Sequence, residues 1–333
     1  MPTDFSQYTW DEAIGEFLVH VKASRAPKTW RFYDVQLRQL SNWTQENNIA
    51  FPSFGKRHMD RYLAFRRESV SPTTLRHDGI AAKVLLKWCA RNDFLERSPL
   101  AEYEVRNAPR PAKYMPSTDD VTSLINAVGT FWNPEKNPSV RYLPAMKRLF
   151  HRTRNYAVIL LLLDTACRIG EALSLQLGDF DARQAQISIR ESKGREPRVL
   201  PMSPDAVQAI EAWLKVRERV MRDAPPGSDE GYLFVSEFGT KIEENKFLKN
   251  LKAYIRFASL PEAITLHSLR RYSLNRLAKH NLLAAQAIAG HKDTKTTLIY
   301  TKIDPEFLRG IHSEVSVVQG VLHSKREKRR KLV

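Results

Sequence analysis

Apolar residues recur at helical spacing through the first third of the chain. Over Trp10–Lys22, Ile14, Phe17, Leu18 and Val21 share one helix face. Phe32, Tyr33, Leu37 and Leu40 repeat the pattern over Trp30–Trp43, and Met59–Arg67 forms a third, shorter piece. Ser71-Pro72 reads as a helix start, with serine as N-cap and proline at the first helical position, where its missing N–H costs nothing. The helix it opens runs to about Asn92 and is expected to bury Leu75, Ile80, Val84, Leu85 and Trp88.

The helical pattern breaks over Asn107–Ser117, where Pro109, Pro111 and Pro116 interleave with Arg110 and Lys113. That composition reads as an extended linker, and at full stretch it spans roughly 35 Å, enough to cross a duplex. The expected division is a helical domain over 1–106, a linker over 107–117, a second domain over 118–323 and a basic tail over 324–333. Thr118 is read as the N-cap of a helix carrying Val121, Leu124 and Ile125. The stretch 129–155 reads as a proline-containing basic insertion with Lys147, Arg148, Arg152 and Arg154, followed by an apolar helix over Tyr156–Asp164. Gln186–Arg190 and Arg198–Met202 alternate around the polar turn Glu191–Pro197, which predicts a β-hairpin. An amphipathic helix over Ser203–Met221, a short strand over Tyr232–Val235 and at least four helical pieces from Glu243 complete the reading. The expected class is mainly α with a small β-sheet, a mixed and mostly helical second domain following the all-helical first.

Length and charge change the picture in one direction. A chain of 333 residues, 42% hydrophobic and 27% charged, has the balance of a folded protein with room for two cores. Fifty-three Lys and Arg against 37 Asp and Glu give a net charge of +16, divided as +5 over 1–117, +6 over 118–323 and +5 over 324–333. A charge spread through both large segments points to a polyanion, nucleic acid ahead of an anionic membrane. The longest apolar run, Ala157–Leu163, is too short to cross a bilayer, and the N-terminus has no basic-then-apolar leader. Cys89 and Cys167 form neither a disulfide framework nor a paired metal-ligand spacing. The expected setting is reducing, cytoplasmic and nucleoid-associated. On the fourth helix, Arg76, Lys83, Lys87 and Arg91 fall within roughly 80° of one another. Alone such a stripe reads as a solvated face; beside the overall charge it reads as a DNA contact, with Arg110 and Lys113 of the linker joining it.

Short patterns in the second domain carry the candidate chemistry. Arg168-Ile169-Gly170-Glu171 is expected to close the apolar helix and puts a carboxylate three residues after an arginine, by itself an ordinary structural ion pair. Lys193 beside Gly194 is by itself an exposed turn lysine. His267-Ser268-Leu269-Arg270 sets two cationic side chains on one helix face, a pattern expected about once by chance in such a chain. Gly290-His291, Thr296-Thr297 and Tyr300 form a template whose chance occurrence is on the order of one in ten thousand or less.

Taken in order, these motifs resemble those of the tyrosine recombinases, the phage-integrase and Xer-like site-specific DNA recombinases. The motif resemblance covers Thr118 to about Asp304, and the helical first domain resembles their core-binding domain by architecture. Arg271 and Tyr272-Ser273-Leu274 depart from the family pattern, which often has His after the second arginine. The resemblance implies phosphoryl transfer without metal, ATP or other cofactor. Arg168 and Arg270 would hold the scissile phosphate, Tyr300 attack it, His267 act as general base and Lys193 as general acid. His291 would donate to the phosphoryl oxygens, and Glu171 hold Arg168 in place. It also implies double-stranded DNA as partner, a tetramer on synapsed sites, and room for accessory DNA-binding proteins.

The stretch Glu306–Leu322 places Phe307, Leu308, Ile311, Val315, Val318 and Leu322 at helical spacing, which suits docking on a neighbouring subunit or packing on its own domain equally well. The net +5 of the insertion 129–155 suits an added DNA or subunit contact and an irregular solvated loop equally well. A type IB-like topoisomerase would share the chemistry as a monomer, and a non-catalytic DNA-binding protein would only occupy its sites. The post-tyrosine segment favours the recombinase over the first, and the presence of all six expected side chains favours it over the second.

Overall fold

The structure, a computed structural model, describes residues 8–106, 114–190 and 197–289, with 309–310, 312–313 and 315–318 near the end. The chain divides into two compact units, Met1–Ala112 and Lys113–Val333.

Among its described residues the first unit packs four α-helices: α1 (Trp10–Ser24), α2 (Pro27–Glu46), α3 (Lys56–Arg67) and α4 (Pro72–Arg91). Thr9 and Glu12 cap α1 reciprocally, Thr9 N–H donating to the Glu12 carboxylate at 2.8 Å. Helices α2 and α3 each begin three residues earlier than the apolar spacing indicates, α2 with Pro27 in its first turn. Trp10 meets the rings of Phe51 and Phe54 edge-on at 5.1 Å, and Phe17 meets Tyr33 in the same way.

Helix α4 corrects one expectation. Ser71 caps it as predicted, accepting from Thr74 N–H at 3.2 Å. Its buried face, however, is Asp78, Gly79, Ala81, Ala82, Leu85, Leu86 and Cys89, while Leu75, Ile80, Val84 and Trp88 are only half-buried. Small residues line the closest approach because they let neighbouring backbone come near. A Cβ on Gly79 would lie 2.9 Å from a Val105 methyl. Asp78 is tolerated there because Arg66 Nε donates to it at 3.0 Å.

The second unit is built around one long helix. After α5 (Thr118–Thr130) and a 3₁₀ turn at Pro138–Val140 comes α6 (Ala145–Thr165). The N-cap of α5 is Ser117, not Thr118: Ser117 Oγ accepts from Asp120 N–H at 3.0 Å, and Asp120 returns the bond to Ser117 N–H at 2.8 Å. The expected insertion 129–155 is largely not irregular, since α5 runs through Thr130 and eleven residues, 145–155, belong to α6. Phe150 and Arg154 extend the stripe of Val158 and Leu162 at steps of four, and all four are buried. Burial of Arg154 works because Val235 O accepts from its Nη1 at 3.0 Å and Asn155 Oδ1 from its Nε at 3.0 Å.

Helix α6 packs against α5 and α8 (Pro204–Arg222). The sheet has three antiparallel strands, β1 (Phe180–Asp181), β2 (Gln186–Ile189) and β3 (Arg198–Pro201), in that order. The predicted hairpin is therefore β2–β3, with Ile189 opposite Arg198, and the sequence pattern missed β1. Tyr232–Val235 is not a ladder strand: it forms isolated bridges, Tyr232 with Gln176 and Val235 with Lys241. Its backbone is held instead by Leu233 N–H donating to Leu175 O at 2.7 Å and Trp213 Nε1–H donating to Leu233 O at 2.8 Å. Helices α9 (Glu244–Phe257), α10 (Leu266–His280) and α11 (Leu282–Ala289) follow. Val315, Val317 and Val318 are buried in this unit's own core, and Ser316 Oγ donates to buried Asp164. Of the two placements open for the post-tyrosine stripe, these residues take the one on their own domain.

Candidate active site

Local geometry explains how α6 delivers Arg168. The helix ends at Thr165, and Ala166 turns the chain in the left-handed region at φ 49°. Arg168 therefore lies beyond the helix it was expected to close, as N-cap of the four-residue helix α7 (Ile169–Ala172). Glu171 holds it twice, accepting from the Arg168 backbone N–H at 2.9 Å and from its Nη1 at 3.3 Å. Burial alone would push the Glu171 carboxyl up. The hydrogen bond from Arg198, the Arg168 N–H and the charges of both arginines outweigh it and hold the carboxyl below its ordinary value.

Arg270 comes from the first turns of α10. Thr265 caps that helix reciprocally with Ser268, accepting its N–H at 3.1 Å and donating its own N–H to Ser268 Oγ at 2.8 Å. The cap fixes the register in which Leu269, Arg270 and Ser273 face inward while His267, one turn before Arg270, stays exposed. Arg270 is 5% exposed, its Nη1 donating to Ala166 O and its Nη2 to Ala289 O at 2.8 Å. Arg168 Nη1 reaches the same Ala289 oxygen at 3.4 Å. Burial, then the charge of Arg168, push Arg270 down to about 10, so it remains ionised at neutral pH. Two guanidiniums from distant segments thus converge on one oxygen. Such a pair matches the non-bridging oxygens of a phosphodiester, for which planar donor forks are well shaped.

Of the expected catalytic residues, the structure brings together Arg168 and Arg270, with Glu171 between the first and the sheet, and sets His267 on the helix of the second. Lys193, His291 and Tyr300 lie outside the described residues, as do Arg110, Lys113 and the tail 324–333. On α4 the basic stripe divides. Lys87 and Arg91 are exposed, but Lys83 Nζ donates to Tyr103 O at 2.7 Å and serves the first unit's own structure. Arg271, at the departure from the family pattern, donates to Tyr114 O at 2.9 Å and faces the unit's own N-terminal segment. Among the described residues no three His, Cys, Asp or Glu side chains converge as metal ligands. No described helix is long and apolar enough to cross a membrane.

Sequence reasoning missed Arg198. Its Nη2 donates to Glu171 Oε2 at 2.7 Å and its Nε to Ile288 O at 3.3 Å. The signal was present in the hairpin alternation. Arg198 lies two residues before Leu200, hence on the same inward face, where an arginine needs a partner.

Comparison with known proteins decides the family. Residues 139–306, half of the chain, match the model of the phage integrase family. The chain belongs to that family. Membership makes it a DNA breaking-and-rejoining enzyme of the site-specific recombination class. It is 28% identical to tyrosine recombinase XerC 2 of Ralstonia nicotianae over 85% of this chain and 79% of the relative. The fold matches XerH site-specific recombinase bound to its difH substrate, with a TM-score of 0.64 at 16% identity over 88% of this chain and 80% of the other. It also matches a lambda integrase dimer bound to a COC′ core site, with a TM-score of 0.64 at 13% identity over 89% of this chain and 100% of the other.

Proposed function

We propose that this phage integrase family member exchanges DNA strands at specific sites with Tyr300 as nucleophile. The observation that carries the reading is the meeting of Arg168 and Arg270 on the Ala289 oxygen, which sets two planar donor forks side by side. Their charge offsets the charge that develops in the transition state, the task metal ions perform in other phosphoryl-transfer enzymes, so strand transfer needs neither metal nor ATP. The Tyr300 oxygen attacks phosphorus in line as the bond to the 5′-oxygen breaks. A 3′-phosphotyrosine and a free 5′-hydroxyl result. His267 takes the phenol proton, Lys193 gives a proton to the leaving 5′-oxygen, and His291 donates a hydrogen bond to the phosphoryl oxygens. A phenol ordinarily ionises near pH 10, and the cationic surroundings favour its anion.

Because the phosphotyrosine ester retains the phosphodiester's energy, a 5′-hydroxyl from a second site reverses the step without added energy. Holding two duplexes calls for four protomers on synapsed double-stranded DNA, with accessory DNA-binding proteins where a site requires them. The DNA-bound relatives support the choice of partner, and the dimeric lambda integrase supports self-association. Arg76, Lys87 and Arg91 on the first unit, with Arg110 and Lys113 of the linker, supply phosphate contacts. The protein acts in the cytoplasm, on nucleoid DNA.

The test uses nicked duplexes cut from the host genome, in which the released strand end diffuses away and the covalent complex accumulates. Wild type and Tyr300→Phe are compared on a denaturing gel with a chelator present. A shifted, protease-sensitive band in wild type alone supports the reading and reports the site. An adduct that persists in Tyr300→Phe removes Tyr300 as nucleophile.

A further inference from the structure

Three segments carrying the candidate chemistry end near one side chain. Strand β3 leaves the turn that contains Lys193 and begins with Arg198. Glu171, which holds Arg168, accepts from Arg198 Nη2 at 2.7 Å. Helix α11, which leads directly into Gly290-His291, presents its last carbonyls to the same group, Ile288 O accepting from Arg198 Nε at 3.3 Å. The adjoining Ala289 O takes Arg168 and Arg270. The Arg198 side chain is only 12% exposed and that of Glu171 6%, so this pair is sheltered from solvent screening.

We infer that Arg198 is a positioning residue for the transfer reaction: it fixes the Glu171 carboxylate that orients Arg168 and ties the end of α11 to strand β3. The inference rests on the proposed function and adds a residue to it. Its physical basis is the fork of the guanidinium. One edge meets a carboxylate and Nε meets a carbonyl at a helix C-terminus, where the helix dipole favours a cation. A lysine in its place keeps the charge but cannot span both acceptors with fixed geometry. Loss of the fork frees Glu171 to turn from Arg168 and frees α11 to shift, displacing phosphate-binding groups without removing any of them.

The experiment measures the rate of covalent adduct formation on the nicked genomic duplexes, with DNA affinity and thermal midpoint followed in parallel. Arg198→Ala is expected to slow the adduct roughly 10- to 100-fold, the scale of misplacing a reacting group by about 1 Å, while leaving affinity within twofold. Arg198→Lys is expected to recover part of that loss. A readout that general destabilisation does not move is the pH profile. Without Arg198, burial raises the Glu171 pKa, so adduct formation fails at a higher pH on acidification than in wild type. In a Glu171→Gln background that difference between arginine and alanine disappears, and the further loss in rate is reduced. Should the alanine variant fail to fold, Arg198→Lys and Arg198→Gln supply the same profiles. Adduct formation in wild type with unchanged rate and pH profile in the Arg198 variants overturns this inference alone. Absence of any adduct in wild type on all fragments overturns the functional reading and this inference with it.

Discussion

Single residues set the site's geometry, and two of them allow quantitative tests. Ala166 occupies the left-handed region at φ 49° at the end of α6, two residues before Arg168. A Cβ there crowds the following carbonyl, which glycine avoids. Ala166→Gly is expected to raise stability by about 1 kcal/mol, measured as the urea midpoint at constant slope, and a lowered midpoint would contradict this turn geometry. His151 offers the second test. It stacks on Trp132 at 4.6 Å between ring centres, its Nδ1 accepting from Arg154 Nη2 at 3.1 Å and its Nε2–H donating to Glu237 at 2.6 Å. Since a guanidinium only donates, the pattern is that of a neutral ring. Burial, then the Arg154 charge, hold its pKa down at about 4 despite Glu237. Between that value and the ordinary 6.5 the unfolded chain binds the extra proton, so stability rises with pH across this window and is lost on acidification. The loss approaches about 3 kcal/mol at the acid end. His151→Gln, whose amide accepts and donates at the same two places, should flatten that limb in denaturation series from pH 7 to pH 4.5.

At the scale of elements, local signals were legible and tertiary ones were not. Caps are written in consecutive residues: Ser71-Pro72 starts a helix as read, and Ser203-Pro204 repeats the pattern at the start of α8, with Ser203 Oγ accepting from Ala206 N–H at 3.3 Å. The buried face of α4 was misplaced because ranking by size selects Leu75 and Trp88, whereas close packing selects Ala81, Ala82 and Gly79. The first half of α6 was hidden because Arg154 and Asn155 look like solvent-facing residues until Val235 O and Tyr254 meet them. Within the site, Arg168 and Arg270 were named from their motifs, while Arg198 lay in no motif and is identified by its partners. The two serine caps separate local propensity from burial. Ser71 is exposed, so Ser71→Ala lets water reach the freed N–H and should cost about 0.5–1 kcal/mol. Ser203 and Ala206 are buried, so Ser203→Ala strands an N–H and should cost about 2 kcal/mol. Equal losses in denaturant titrations of the two variants would show that burial adds nothing to the cap.

Across the whole molecule the distribution of charge governs how DNA is first held. Net charges of +5, +6 and +5 over 1–117, 118–323 and 324–333 give every segment an attraction for phosphate, yet their chemistry differs. In the second unit, Arg154, Arg198 and Arg217 are committed to internal carbonyls and carboxylates, so net charge there overstates what a duplex meets. Residues 324–333 hold six Lys and Arg in ten positions, and no apolar pattern accompanies them. Charge of that kind recognises phosphate without reading bases. Each cation that neutralises a phosphate releases condensed counterions, so affinity falls with salt in proportion to their number. Deleting 324–333 should therefore weaken binding equally on target and unrelated duplexes and make the slope of log affinity against log salt shallower by up to about 5. Fluorescence anisotropy of labelled duplexes across a KCl series measures both quantities. Equal loss on all sequences with a shallower slope fits a tail that raises the time spent on DNA while Lys87, Arg91 and the linker set orientation. A loss confined to one sequence would instead mean that the tail reads bases or shape there, and specificity would have to be sought in residues 324–333 as well as in the two units.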